Sequence, residues 1–382
     1  MKIVADSNIP YVREAFAALG EITLVPGRQL TAAHVRDAEL LLVRSVTPVN
    51  AALLAGSQVK FVATATIGFD HVDVDYLAAH GIGFATAAGS NANSVAEYIC
   101  AALLELAHRK NFRLRDKTLG VVGVGNVGRQ VVRYARVLGL RVLPNDPPRQ
   151  RVETLPDFVS LERICTTADL ITMHVPLTQT GPDATVRLLD PGRLAQRPIL
   201  INTARGPVLD NAALLTANLA GLVLDVWENE PNIRAELLDR VDLGTPHIAG
   251  HSFDGKVNGT VLIYEAVCRH LGIPALWRPV LPAPPVPRLV VTMGGGEEEE
   301  DVLRRIIRQV YSITADDARL RAGFQEFEKL RTEYPVRREF GNTELVVPEP
   351  LANLREKFTA LGFRCVVNSE NKKHGSDQSQ TD

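Results

Sequence analysis

Three short segments carry side chains suited to chemistry on an alcohol beside a carboxylate. The first, Asn202-Thr203-Ala204-Arg205-Gly206, closes a buried apolar run. An arginine at such a point is costly without an anionic partner, and its planar fork matches a carboxylate. For Arg205 taken alone, a structural ion pair is the competing reading. The second segment is Asp225-Val226-Trp227-Glu228-Asn229-Glu230-Pro231, with Asp225 at a strand end and Glu230 in the turn after it. The third is Gly244-Thr245-Pro246-His247-Ile248-Ala249-Gly250-His251, where His247 follows a proline-fixed turn. Alone, the histidine reads as structural and the carboxylates as solvated. Together they fit the removal of a hydride from a carbon that bears a hydroxyl. Histidine is the side chain suited to exchanging protons near neutral pH, and His247 could take the hydroxyl proton. Glu230 would orient its ring and stabilise the imidazolium. Arg205 would hold the acid end of a 2-hydroxy acid and polarise the developing carbonyl.

A hydride needs an acceptor, and a fourth segment points to one. Gly123-Val124-Gly125-Asn126-Val127-Gly128 follows a short apolar run and leads into a helical stretch, Arg129 to Leu138. This Gly-x-Gly-x-x-Gly pattern suits a sharp strand-to-helix turn whose backbone approaches a pyrophosphate. Asp146 lies about 20 residues past Gly128, after the apolar run Arg141-Val142-Leu143. A carboxylate there accepts from a ribose 2′-OH and repels a 2′-phosphate, which selects NAD over NADP. An ordinary βα turn is the alternative for the glycines alone.

These segments need a scaffold of strands ending at loops. Apolar runs at Lys2 to Ala5, Glu39 to Arg44, Lys60 to Ala65 and Gly83 to Ala85 alternate with helical stretches. That alternation predicts a parallel, doubly wound sheet, with chemistry at the carboxyl ends of its strands. Arg44, Ser45 and Thr66 sit at two such ends. Asn91 to Arg109 reads as a long helix with an apolar stripe through Val95, Ile99, Leu103 and Leu106, and Gly259 to Leu271 as a second. Two such helices would carry the chain into a nucleotide-binding unit and back. The expected organisation is α/β: a discontinuous substrate-binding domain (1–95 and 258–280) and a Rossmann-like domain (96–257), both doubly wound parallel sheets, with a cleft between them. Pro279 to Pro287 reads as an extended linker. Residues 281–368 form a small α+β unit without a clear catalytic cluster, assigned to assembly in preference to effector binding. The polar segment 369–382 is expected to be disordered.

Composition narrows the partners. The chain has 382 residues, 46% hydrophobic, with a net charge of −2, which suggests neither nucleic acid nor an anionic membrane as a partner. Cys100, Cys165, Cys268 and Cys365 lack metal or disulfide spacing and fit a reducing, cytoplasmic setting. No metal site is expected. A charge arrives too early for a signal peptide, and no apolar run is long enough to span a bilayer.

The segments Gly-Val-Gly-Asn-Val-Gly, Thr-Ala-Arg-Gly, Asp-Val-Trp-Glu-Asn-Glu-Pro and Thr-Pro-His-Ile-Ala-Gly, in this order, resemble the D-isomer-specific 2-hydroxyacid dehydrogenases over residues 1 to 272. The resemblance implies Arg205, Glu230 and His247 as the catalytic set. Formate dehydrogenases of the same superfamily carry glutamine where Glu230 stands. Asp6-Ser7-Asn8-Ile9-Pro10, Val43-Arg44-Ser45-Val46-Thr47, Ala65-Thr66-Ile67-Gly68, Asp146-Pro147-Pro148-Arg149, Asp254-Gly255-Lys256 and the C-terminal unit resemble one branch, which oxidises 4-phospho-D-erythronate in vitamin B6 biosynthesis. That branch implies a homodimer through the C-terminal unit and substrate contacts from Ser45 and Thr66. It implies NAD contacts from Gly123, Gly125, Asn126, Val127, Gly128, Asp146, Val175, Thr203, Ala204, Arg205, Asp225 and Gly250. His251 stands where the branch usually has a substrate-binding tyrosine, a departure that bears on phosphate affinity and substrate choice. Ser7 and Ser90 replace a usual glutamate and cysteine without touching the catalytic argument. The alternatives are the same chemistry on 3-phosphoglycerate or a glyoxylate-like acid, and a non-enzymatic NAD-sensing protein.

Overall fold

The computed structural model describes residues 1–153 and 157–367; the segment 369–382, expected to be disordered, lies outside the described residues. Three parallel sheets are laid down in chain order. The first holds β1 (Lys2–Asp6), β2 (Glu21–Val25), β3 (Leu40–Val43), β4 (Phe61–Thr64) and β5 (Gly83–Thr86), in the order β2-β1-β3-β4-β5. The second holds β6 (Thr118–Val122), β7 (Arg141–Asn145), β8 (Leu170–Met173), β9 (Ile199–Asn202), β10 (Gly221–Leu224) and β11 (Leu243–Gly244), in the order β11-β10-β9-β8-β6-β7. In both, the order reverses beside the first strand, the arrangement that opens a crevice at the strands' carboxyl ends. β3, β4, β6, β8, β9 and β10 are buried along their whole length. Helices cover both faces of such a sheet, so these strands read as continuous apolar runs rather than alternating ones.

The third sheet, in the C-terminal unit, is smaller: β12 (Arg288–Val290), β13 (Glu344–Val347) and β14 (Arg364–Val367), in the order β12-β13-β14. Its strands are parallel throughout. Helices Glu299–Val310, Ile313–Gly323 and Phe327–Thr332 fall between β12 and β13, and Ala352–Ala360 between β13 and β14. No described helix is long and apolar enough to cross a membrane.

Two long helices link the units, and both differ from the sequence expectation for a physical reason. Ala92–Arg109 is buried from Ser94 to Ala107, not along one stripe. The helix Asn126–Val137 packs against it on one side, and Leu303, Ile306, Ile307 and Phe340 of the C-terminal unit join the same apolar cluster. The second helix spans Phe253–Leu271 and begins before the expected Gly259. Ser252 caps it, its hydroxyl accepting the Gly255 N–H at 2.8 Å, and Gly272 ends it in the left-handed region with φ of 69°. Gly259 looks like a breaker in the sequence, but a Cβ there would lie 3.0 Å from the Ala65 carbonyl oxygen after β4. Ile263, Tyr264, Val267 and Cys268 of this helix share a core with Ile3, Phe16, Leu40 and Phe61 of the first sheet.

The C-terminal unit is fastened to this frame by buried charge as well as apolar packing. Arg338 forks onto Asp254, with Nε to Oδ2 at 3.0 Å and Nη2 to Oδ1 at 3.1 Å. Arg337 donates to the Ala249 carbonyl at 3.2 Å and the Ser94 carbonyl at 2.5 Å. Both arginines are buried, so their bonds replace the hydration lost on folding. The residues they hold, 249 and 254, flank His251.

Candidate active site

All the residues singled out above follow the carboxyl ends of strands. The glycine loop follows β6, Asp146 follows β7, Val175 follows β8, Thr203 to Arg205 follow β9, Asp225 follows β10 and His247 follows β11. Ser45 follows β3 and Thr66 follows β4 in the first sheet. Each of the three loop glycines meets a different demand. Gly123 has φ of 86°, and a Cβ on it would lie 2.8 Å from the His174 carbonyl. A Cβ on Gly128 would lie 2.0 Å from the Gly123 oxygen, so only glycine lets the helix Asn126–Val137 start so close to β6. Gly125 has nothing within 4 Å of its Cβ position. That bare, open backbone beside free first-turn N–H groups suits a pyrophosphate.

The groups around the loop agree with a dinucleotide. Asp146 Oδ2 accepts the Val124 N–H at 2.9 Å, and Oδ1 accepts the Arg149 N–H at 3.1 Å. A carboxylate has about four lone-pair sites, so Asp146 keeps capacity for a ribose hydroxyl. The Arg149 guanidinium donates to the Val124 carbonyl and to Glu153, bracing the same loop. Val175 packs on Gly123, and the side chain of Asn126 lies against Gly89. Val127 packs into the core beneath the loop. Gly250 is pinned as glycine because a Cβ there would meet Asn91 Nδ2 at 1.9 Å. The sequence pattern does not single out His174, which reads as the last residue of a strand. Its ring nitrogens lie 3.0 Å from the Thr172 hydroxyl and 3.3 Å from that of Thr203. Burial pushes its pKa down to about 3, so it is a neutral strut under Thr203 and Gly123.

The His247 loop is held from behind. Asp225 is 1% exposed, and its Oδ1 accepts from the Ile248 N–H at 2.7 Å and the Thr245 hydroxyl at 2.6 Å. Its Oδ2 accepts from the Ala249 N–H at 3.0 Å. Tyr98 adds a bond to the Thr245 hydroxyl at 2.8 Å, and the Trp227 indole donates to the Thr245 carbonyl at 3.0 Å. Asp225, expected from the sequence as a cofactor contact, is seen here fixing the loop. Burial, the largest influence, raises its carboxyl above the ordinary range despite the three donors and His247. His247 itself sits at φ of 57°, a left-handed conformation uncommon for a side-chain-bearing residue and held here by its surroundings.

In this setting His247 Nδ1 lies 2.7 Å from Glu230 Oε2. Glu230 Oε1 accepts the Trp227 N–H at 2.8 Å. Burial works to raise the Glu230 carboxyl, but the His247 hydrogen bond and charge, the Trp227 N–H and the Arg331 charge hold it below the ordinary value. An ionised carboxylate only accepts, so Nδ1 carries a proton toward Glu230, and in the neutral ring it is Nε2 that has the free lone pair. The side chains are 32% and 19% exposed, partly screened yet reachable.

Arg205 reaches the same region from β9. A Cβ on Gly206 would lie 2.1 Å from the Trp227 carbonyl, so this glycine lets the Arg205 loop lie directly on the Glu230 loop. Arg205 Nη1 donates to the Ala204 carbonyl at 2.8 Å, and Asn202 Nδ2 donates to the Arg205 carbonyl at 2.9 Å. Its Nη2 lies 3.9 Å from Asp70 Oδ2 and close against Gly68 in the first unit. A long contact to a well-exposed carboxylate is a weak structural ion pair, so the fork remains available to a ligand. The Thr66 hydroxyl donates to the Gly68 carbonyl at 2.9 Å, which ties it to the loop Arg205 touches. Ser45 is exposed beside the half-buried Arg44.

His251 is the least expected environment. Its Nδ1 is buried and has no hydrogen-bond partner. Burial first, and then the charges of Lys256, Arg331, His247 and Arg44, push its pKa well below the usual histidine value. Arg331 belongs to the helix Phe327–Thr332 of the C-terminal unit, where the sequence offered no catalytic pattern. Among the described residues, no group of three or more histidine, cysteine, aspartate or glutamate side chains could hold a metal ion.

Comparison with known proteins agrees with this geometry. The family model for the NAD-binding domain of D-isomer-specific 2-hydroxyacid dehydrogenases matches residues 92–249, and a domain family of unknown function matches 280–362. An erythronate-4-phosphate dehydrogenase from Proteus mirabilis is 45% identical over 375 residues, covering 95% of this chain and 99% of that one. One from Cronobacter sakazakii is 47% identical over 354 residues, covering 90% and 93%. Among solved structures, a protein from Thermus thermophilus superposes with a TM-score of 0.60 at 26% identity, over 72% of this chain and 98% of that one.

Proposed function

The chain belongs to the erythronate-4-phosphate dehydrogenases, within the D-isomer-specific 2-hydroxyacid dehydrogenases, and from that membership we propose that it oxidises 4-phospho-D-erythronate to (R)-3-hydroxy-2-oxo-4-phosphobutanoate, a step toward pyridoxal 5′-phosphate. NAD, when bound, accepts the hydride. The observation that carries the assignment of roles is the 2.7 Å bond between His247 Nδ1 and Glu230 Oε2, on a loop stacked against that of Arg205.

The backbone of Gly123, Gly125, Asn126, Val127 and Gly128 would hold the pyrophosphate of NAD and Asp146 its ribose, with Val175, Thr203, Ala204, Arg205, Asp225 and Gly250 as the further residues that would hold the cofactor. Arg205 forks onto the substrate carboxylate and polarises the C2 oxygen as it becomes a carbonyl. His247 Nε2 takes the C2 hydroxyl proton as the C2–H bond breaks and its electron pair leaves as hydride. The resulting imidazolium is stabilised by Glu230 at Nδ1, and the proton passes to solvent. Ser45, Thr66 and His251 contact the remainder of the acid. The four cysteines are free, in keeping with a cytoplasmic enzyme. The homodimer is assigned to the C-terminal sheet, where Val290, Val366 and Val367 leave apolar surface exposed.

Steady-state NADH formation with 4-phospho-D-erythronate and with 3-phospho-D-glycerate tests this reading. The former is expected to give a kcat/KM at least about 100-fold higher, because a site built to bond an extra hydroxyl penalises an acid that lacks it. Equal or better turnover of 3-phospho-D-glycerate would move the chain to another branch of the family. No turnover of either acid would favour an NAD-sensing protein.

A further inference from the structure

The loop that carries His247 starts from an open edge. β11 (Leu243–Gly244) is the last strand of its sheet and pairs with β10 alone. The Thr245 N–H turns inward to the Leu224 carbonyl at 2.9 Å. Successive groups of a strand alternate in direction, so the Gly244 N–H faces away from β10. Edge groups of this kind must find water or a cover. Here the cover is a side chain of the C-terminal unit. Asp317 Oδ1 accepts the Gly244 N–H at 2.8 Å, and Asp317 is buried.

Asp317 is itself held. Arg321, one turn further along the helix Ile313–Gly323, donates from Nε to Asp317 Oδ1 and Oδ2 at 3.1 Å each. Its Nη1 donates to the Leu238 carbonyl at 2.9 Å and its Nη2 to the Val241 carbonyl at 2.8 Å. Those carbonyls end the helix Ala235–Arg240, which leads into β11, and the last carbonyls of a helix lack partners within it. Leu320, on the same face of the clamping helix, is buried in one cluster with Trp227, Leu238 and Val241. One turn of the C-terminal unit therefore closes both the end of that helix and the outer edge of β11.

The place of Gly244 bears on both members of the reacting pair. A Cβ on it would lie 3.2 Å from Trp227 Cζ2, so its backbone rests on that ring. The Trp227 indole holds the Thr245 carbonyl, and its amide N–H holds Glu230 Oε1. His247 follows shortly after and keeps a left-handed conformation, φ of 57°, which persists only where the surroundings over-determine it. Resting on the reading of His247 as the base, we propose that Asp317 and Arg321 are positioning residues of this active site, which hold the His247 loop against Glu230 through the Gly244 N–H. The C-terminal unit thereby sets the catalytic geometry of its own chain and is more than an assembly module.

The test compares the full-length enzyme with its Asp317→Ala, Asp317→Asn and Arg321→Met variants, each saturated with NAD. The single-turnover rate constant for NADH formation from 4-phospho-D-erythronate reports the geometry, because misfolded protein lowers the amplitude and leaves the rate constant alone. It is expected to fall about 10- to 100-fold in Asp317→Ala, the effect of a displacement of about 1 Å, while NAD binding stays within a few fold. Asp317→Asn keeps an acceptor oxygen for Gly244 and should recover most of the rate. Amide exchange at Ile248 and Ala249, which are bonded to Asp225 and not to Asp317, should quicken in Asp317→Ala. An unchanged rate constant, whatever the amplitude, would overturn the proposal. Should Asp317→Ala fail to fold, Arg321→Met decides by the same readings, since it keeps the bond to Gly244 and removes the fork. If the wild-type enzyme does not oxidise the acid, the reading of His247 fails; quickened exchange at Ile248 and Ala249 would still establish the clamp, and unchanged exchange would refute it.

Discussion

Replacing His247 with alanine is expected to lower kcat by about 10²- to 10⁴-fold while NAD still binds. The size follows from what the side chain does. In the proposed mechanism its Nε2 takes the C2 hydroxyl proton, while Nδ1 is bonded to Glu230 at 2.7 Å. The backbone around it is fixed independently of the ring. Asp225 holds the N–H groups of Ile248 and Ala249, and Thr245 is bonded to Tyr98 and Asp225. The loop therefore survives the substitution, and the glycine loop and Asp146 are untouched. Single-turnover NADH formation and a calorimetric NAD titration together check this. A kcat within a few fold of wild type would remove His247 from the base role. Weak NAD binding beside a low kcat would mean that the histidine supports the cofactor instead.

Arg205→Ala is expected to cost about 10²- to 10³-fold in kcat/KM, the range for removing a donor that stabilises developing charge. Arg205→Lys should recover only a fraction. Lysine keeps the charge but loses the planar fork that grips a carboxylate through two parallel bonds. The loop itself should stay in place, since its close approach to Trp227 depends on Gly206 and its carbonyl bond on Asn202. Measuring kcat and KM separately locates the effect. A rise in KM alone would assign Arg205 to ground-state grip; a fall in kcat as well would place it on the transition state. Full activity in Arg205→Lys would contradict the fork.

Much of this site is legible in the sequence because its parts obey local rules. Each functional residue follows an apolar run, and in a parallel sheet such runs all end on one edge. The three loop glycines are readable for the same reason: each answers a demand of the turn itself, as the positions of Gly123 and Gly128 against their neighbours bear out. What escapes depends on packing between distant segments. Ala92–Arg109 promises one apolar stripe, but the helices Asn126–Val137 and Glu299–Val310 and the segment around Phe340 cover its other faces, with Glu105 beside Arg304 and Glu97 accepting the Phe340 N–H. The helix expected to start at Gly259 starts at Phe253, where the Ser252 hydroxyl caps it by accepting the Gly255 N–H, and Gly259 sits inside it against the Ala65 carbonyl. Arg331 is invisible for a deeper reason. It lies on a short helix in a different unit, where Phe327 packs in one cluster with Trp227 and where Arg337 and Arg338, further along, are bonded to residues 249 and 254. No periodicity or spacing along the chain encodes that meeting.

The most direct measurement of the central claim follows the hydrogen on C2. 4-Phospho-D-erythronate deuterated at C2 is incubated with enzyme and NAD, and the products are read by mass spectrometry and NMR. Direct hydride removal, with His247 taking only the hydroxyl proton, predicts deuterium at C4 of the nicotinamide ring and none in the 2-oxo acid. Deuterium released to water, or retained at C2, would contradict it.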